Sequence, residues 1–186
     1  MIGTIILIVV VVVVALVLVG IYNRLVALRQ SANQAFADID VQLQQRNDLI
    51  PNLVETVKGY ASHESATLQA VTDARAASAS AQSVEQKVQA DNMLTGALRQ
   101  LFAVAEAYPD LKANTNFLEL QRELSDIENK LAAARRYFNN AIGEFNGAIQ
   151  QFPAVLLAGA MGFKVRTFFD VGDNRAALSV PPPVKF

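Results

Sequence analysis

From Ile2 to Ile21 the chain is an almost unbroken aliphatic run, departed from only by Thr4 and the glycines Gly3 and Gly20, and no charged side chain precedes Arg24. A run of about twenty residues, rising about 1.5 Å each, reaches roughly 30 Å as a helix, the thickness of a bilayer's hydrocarbon core. The valines Val9 to Val14 are poor helix formers in water. In lipid every backbone donor and acceptor must be satisfied within the segment, so a helix is the spanning state whatever its propensity. The run lacks the basic leader, short apolar core and small-residue cleavage site of a signal peptide, and it is read as a retained transmembrane helix.

Beyond Tyr22 the apolar positions settle into a seven-residue repeat. One column holds Leu25, Ala32, Ile39, Arg46, Leu53 and Tyr60, and the other Arg29, Phe36, Leu43, Ile50 and Val57, the spacing of a helix with one buried stripe. No strong breaker separates this stripe from the span, so one helix is expected to continue out of the membrane, with Pro51 as its kink. Arg46 interrupts the apolar face. Such a charge snorkels or pairs with an acid on a neighbouring helix, or else it marks a partner contact.

The stretch Ala74 to Ala81 (ARAASASA) offers little to pack and is expected to be a fraying helix end or loop. A second helix is predicted from Val84 to Ala107, with Val88, Leu94, Leu98, Leu101, Phe102 and Ala105 inward and Tyr108, Pro109 and Asp110 ending it. Asn116, followed three residues later by Glu119, resembles a capping box and starts a third helix. Its columns are Phe117, Leu124, Leu131, Phe138, Phe145 and Phe152 against Leu120, Ile127, Ala134, Ala141 and Ala148, and Pro153 stops it. Large residues facing alanines predict close antiparallel packing over roughly 50 Å. Strand signals are absent. The fold class is therefore all-α, an N-terminal transmembrane helix continuing into an antiparallel long-helix bundle of three to four helices. The expected organisation is a span at 1–21, a bundle at 22–152 and an apolar C-terminal segment with a proline-rich end at 153–186.

The segment from Phe152 to Asp170 is dense in Leu, Met and Phe but broken by Gly159 and Gly162, too short and too interrupted for a second span. It needs cover, because an exposed apolar patch marks an interface. Its own bundle, another subunit or partner, and the membrane surface are the three covers, the last with Lys164 and Arg166 facing headgroups. The candidate interface residues are Phe152, Leu156, Leu157, Met161, Phe163, Phe168 and Phe169. The closing PPPVKF is expected to be an extended end.

Charge and chemistry narrow the function. Lys and Arg number 16 and Asp and Glu 17, a net charge of -1, and this even balance in the body argues against a nucleic-acid partner. The absence of cysteine excludes disulfides, thiolate metal sites and a cysteine nucleophile. His63 is the single histidine, and although His63 and Glu64 open like a zinc-protease helix, Thr67 stands where the second histidine is required. The acid pairs Asp38 with Asp40 and Asp126 with Glu128 lie two apart on a helix and point away from each other. No nucleophile elbow, phosphate-cradling loop or dinucleotide fingerprint is present. The expectation is a protein without catalytic, cofactor or metal residues. Arg24 and Arg29 follow the span while no basic side chain precedes it, which predicts the N-terminus outside and the body in the cytoplasm.

Three segments carry a family resemblance: DIDVQLQQRNDLIPNLVETVKGYASHE (Asp38 to Glu64), AEAYPDLKANTNFLELQRELSDIENKLAAARRYFN (Ala105 to Asn139) and FPAVLLAGAMGFKVRTFF (Phe152 to Phe169). With the opening MIG and its aliphatic run they resemble the LemA family of bacterial membrane proteins over nearly the whole chain, and LIPNLV, EAYPDLKA and ENK are specific motifs. Phe36 departs from a position where family members often carry tryptophan, which leaves its packing role intact. The resemblance implies an antiparallel bundle behind one span of the bacterial inner membrane, with the N-terminus outside, and no enzyme. Genes of this family often lie beside those of HtpX-type membrane metalloproteases, which implies a quality-control scaffold or adaptor. The expected partners are thus the lipid bilayer, further copies of the chain in a homo-oligomer, and such a protease. The alternative expectation is a binding module for a lipid or small molecule between the helices.

Overall fold

The computed structural model describes residues 1–169; the expected extended end PPPVKF lies outside them. In chain order the elements are α1 (Ile2–Lys58), α2 (Ser65–Ser80), α3 (Val84–Ala105), the short α4 (Pro109–Lys112), α5 (Thr115–Gln150) and a 3-10 turn at Ala154–Leu156. The described residues contain no strand. The all-α class is therefore observed, and the helix that begins in the aliphatic run continues without a break to Lys58. The chain divides into two compact units, one made of Met1–Asp38 with Ala134–Phe168, the other built on Ile39–Ala133.

The first unit pairs the early part of α1 with the late part of α5. Phe36 meets Phe138 at 5.5 Å between ring centroids, while Leu25 shares a cluster with Phe145 and Ile149. Residue numbers rise along α1 as they fall along α5, so the helices are antiparallel. The predicted columns account for the packing: Leu25, Ala32, Phe138, Ala141, Phe145 and Ala148 are all buried, with alanines letting the axes approach and phenylalanines filling the space between them. Residues Ile2 to Leu16 turn no such face inward. Their side chains are exposed all round, as a helix solvated by lipid must be.

The second unit closes an aliphatic core of Ile50, Leu53, Val57, Leu68, Val71, Leu94, Leu98, Leu101, Leu111 and Leu124. Here α1 passes through Pro51 and ends at Lys58. Proline has no N–H to give the carbonyl four residues back, and that carbonyl, on Asn47, accepts instead from Arg75 Nε of α2 at 2.9 Å. Asn47 Nδ2 also donates to Ser78 Oγ at 3.0 Å. The segment ARAASASA, expected as a fraying helix end or loop, is the end of a helix and not a loop: α2 runs through it to Ser80 before it stops. Alanine is the best helix former, and Leu68, Val71 and Ala74 supply a buried face that the small residues beyond concealed.

Side-chain caps start α3 and α5. At α3 the Ser83 hydroxyl accepts from Gln86 N–H and Gln86 Oε1 accepts from Ser83 N–H, each at 3.2 Å, a full capping box. The cap of α5 is Asn114, whose Oδ1 accepts from Phe117 N–H at 3.0 Å; the expected cap at Asn116 lies inside the helix. Likewise α3 ends at Ala105, and Pro109 takes the first position of α4 instead of only terminating the preceding helix.

Candidate functional site

The span-bearing unit is completed by the segment that follows α5. After Gln150 the chain makes turns through Ala154–Leu156 and on to Gly162. There Phe163 N–H donates to Ala158 O at 2.9 Å and Gly162 N–H to Gly159 O at 3.1 Å. This bond pair is a Schellman closure, which requires a left-handed residue, and Gly162 supplies it with φ 78. The closure turns the chain so that Phe163 points inward. Its ring lies 5.8 Å from Tyr22 and 6.3 Å from Phe145, both edge-on, and the Arg29 guanidinium sits 5.1 Å above it. Burying one phenylalanine contributes roughly 1.5–3 kcal/mol, and edge-on aromatic pairs add about 0.5–1.5 kcal/mol each.

Hydrogen bonds fasten the next residues. Asn146 exchanges two bonds with the Arg166 backbone, each at 2.9 Å, and Arg166 Nη1 donates to Asn33 Oδ1 at 2.7 Å. The segment is therefore a strap laid across α1 and α5. Of the predicted interface residues, Phe163 is buried within the strap and Phe169 is buried too, Leu157 and Met161 are half-buried, and Phe152, Leu156 and Phe168 are exposed. Phe152 is 80% exposed, because α5 ends before its column reaches that position.

In the other unit Arg46 is buried, and its partners come from two helices. Nη1 meets Asp91 Oδ1 of α3 at 2.8 Å, Nη2 meets Thr95 Oγ1 at 3.0 Å, and Nη2 meets Glu128 Oε2 of α5 at 3.1 Å. The charge on the apolar stripe thus has its acid on a neighbouring helix. Asp91 was missed in the sequence: an acid in a helix reads as a solvated face until its cation is known. An open cleft beside the cluster, about 480 Å³, is lined by Phe102, Leu124 and Glu128 among others. The phenylalanine column itself packs: Phe117 is buried against Phe102, as are Phe138 and Phe145 against Phe36 and Phe163.

The acid pairs do not converge. Asp40 pairs with Lys87, Asp126 with Lys130 at 2.6 Å and Glu128 with Arg46. His63 is exposed in the turn after α1, and no group of three or more His, Asp or Glu placed to hold a metal occurs among the described residues. Tyr108 Oη lies 3.3 Å from Glu64 Oε1; partial desolvation, then the carboxylate's charge and its hydrogen bond, raise the phenol above its ordinary value.

Fold and site together define a helical, membrane-associated protein with a long apolar N-terminal helix and a strap laid across α1 and α5. The LemA family profile matches residues 35–186, and the chain belongs to that family. It is similar to magnetosome protein MamQ of Magnetospirillum gryphiswaldense, 26% identical over 80% of this chain and 64% of that protein. Magnetosome protein MamQ 2 of Paramagnetospirillum magneticum is 24% identical with the same coverage. Protein LemA of Metamycoplasma hominis is 30% identical over 73% of this chain and 63% of that protein. The chain thus spans a little under two thirds of the length of these relatives.

Proposed function

We propose that the chain is a non-enzymatic, membrane-anchored scaffold or adaptor of the bacterial inner membrane. It assembles with itself, binds another membrane protein, or does both, in the quality control of membrane proteins, with an HtpX-type metalloprotease as a partner. The basic side chains of Arg24 and Arg29 just past the span favour an outside N-terminus and a cytoplasmic body. One observation carries the reading: α1 is a single helix from Ile2 to Lys58, so the body is an extension of its anchor and not a domain on a tether. Phe168, exposed in the strap, and the outer faces of the helices are its contact surface. Acid, base and nucleophile groups do not converge among the described residues.

Crosslinking of the full-length chain in native membranes tests the proposal. Crosslinked assemblies of the chain with itself or with a membrane protein are expected, and a flexible glycine linker inserted after Tyr22 should leave the chain membrane-bound but abolish them. A full-length chain that stays monomeric and captures no membrane protein would contradict the scaffold. Assemblies that survive the linker would reduce α1 to a plain tether.

A further inference from the structure

We infer that the turn at residues 152–161 is a second membrane contact, its exposed apolar side chains lying in the interfacial layer of the leaflet from which α1 emerges. The inference rests on the reading of Ile2–Ile21 as a membrane span. Three ties along the strap fix its height on α1. Arg166 bonds to Asn33, Phe163 lies between Tyr22 and Arg29, and Ala154 and Ala158 share a cluster with Ile21 and Leu25. Followed backwards from Arg166, the chain descends α1 towards the span, so the turn occupies the span-side end of its unit. The antiparallel α5 delivers it there. Tyr22 directly follows the last aliphatic residue of the span, and tyrosine at that position is the residue of the membrane–water boundary.

The side chains at that end suit the place. Phe152 is 80% and Leu156 72% exposed, and Val155 is exposed beside them. From Phe145 to Phe163 the chain carries no charge, and Lys164, the first to appear, is exposed. Apolar residues at the membrane end with a basic residue just above them form the gradient of an element lying in the headgroup and upper acyl region. Side chains held at this depth meet lipid before they meet a cytoplasmic partner. Phe163, buried within the unit, is what holds the turn down.

The chain contains no tryptophan, so one introduced tryptophan reports its surroundings. The full-length chain is placed in phosphatidylcholine vesicles without bromine, with bromine on the acyl carbons just below the headgroup, or with bromine near the acyl chain ends, the last reaching a residue at mid-span. Phe152→Trp and Leu156→Trp are the test variants, and Val12→Trp is the reference within the span. Tyr137→Trp, exposed beside the Phe138 that meets Phe36, is the reference facing water, roughly 20 Å along α1 from the span's end. Helix content by circular dichroism confirms that each variant is folded. The inference predicts blue-shifted emission and about two-fold or greater quenching by brominated lipid for both test variants, with Tyr137→Trp unchanged. Quenching of Val12→Trp but not of the test variants overturns the lipid contact and leaves the anchor standing. Blue-shifted emission that bromine does not quench overturns it as well and assigns the surface to a protein partner or second copy. An unquenched Val12→Trp removes the span, and the inference with it.

Discussion

The unit that carries the span is held by aromatic and small side chains, with Phe145 and Phe163 packed among Ala148, Ala154 and Ala158. The unit built on Ile39–Ala133 is held by Leu, Ile and Val around Leu53 and Leu101, with the Arg46–Asp91 pair buried in it. The first exposes Phe152 and Leu156 almost fully; the second exposes Val41 and Met93 to about half and buries an ion pair. The difference teaches what each unit settles within itself. A unit that leaves phenylalanine outside requires a cover, whereas one that satisfies a buried guanidinium from two helices specifies one arrangement.

The sharpest way to break the comparison is to empty the aliphatic core. Leu124 and Leu131 are buried, and replacing both with alanine is expected to cost about 2–5 kcal/mol at each site. Urea unfolding of the full chain in detergent should show the loss, while the slow amide exchange of Arg166 in the strap is retained. An unchanged transition would mean that the α5 register is misassigned. Asp91→Ala comes next, expected to cost about 3 kcal/mol because it removes the buried partner of Arg46 and leaves the guanidinium to Thr95 and the more exposed Glu128. The double change Arg46→Met with Asp91→Leu should recover most of that loss; equal losses for the single and double variants would show that the pair is not what holds this region.

Phe163→Ala acts on the other unit. It should cost about 3 kcal/mol locally, seen as faster amide exchange at Arg166 with the urea transition of the aliphatic unit unmoved. The smallest effect concerns pH. The Tyr108 phenol is raised, so its neutral form is favoured by folding. Its contribution is fully present below the ordinary tyrosine value of about 10 and is lost as pH climbs from there through the raised value. Absorbance titration should show one late-ionising tyrosine that Tyr108→Phe removes.

Much of this contrast was legible in the sequence, and the illegible parts share a cause. The columns of α1 and α5 repeat over many turns, so Leu25, Ile39, Leu53, Phe117, Leu131 and Phe145 could be placed inward from spacing alone, and all are buried. The α2 helix was hidden because its later turns are alanine and serine, which carry little amphipathic signal. The cap of α5 was misplaced by two residues because Asn114 and Asn116 offer the same side chain and only Asn116 stands three before Glu119. Asp91 and the individual ties of the strap escaped for a different reason, although the bundle itself was among the covers expected for that segment. Their partners, Arg46 for one and Tyr22 and Asn33 for the other, are distant in sequence, and local periodicity carries no information about such contacts.

The central claim is that anchor and body are one helix, clasped by the strap where the span ends. Hydrogen exchange of the full-length chain in lipid nanodiscs tests it most directly at residues 22–30, the stretch just outside the bilayer. The account predicts protection there comparable to that of residues 39–57, reduced by Phe163→Ala but not abolished, because the helix itself persists. Exchange at 22–30 as fast as in an open chain would contradict it, showing a flexible joint where a continuous helix is claimed.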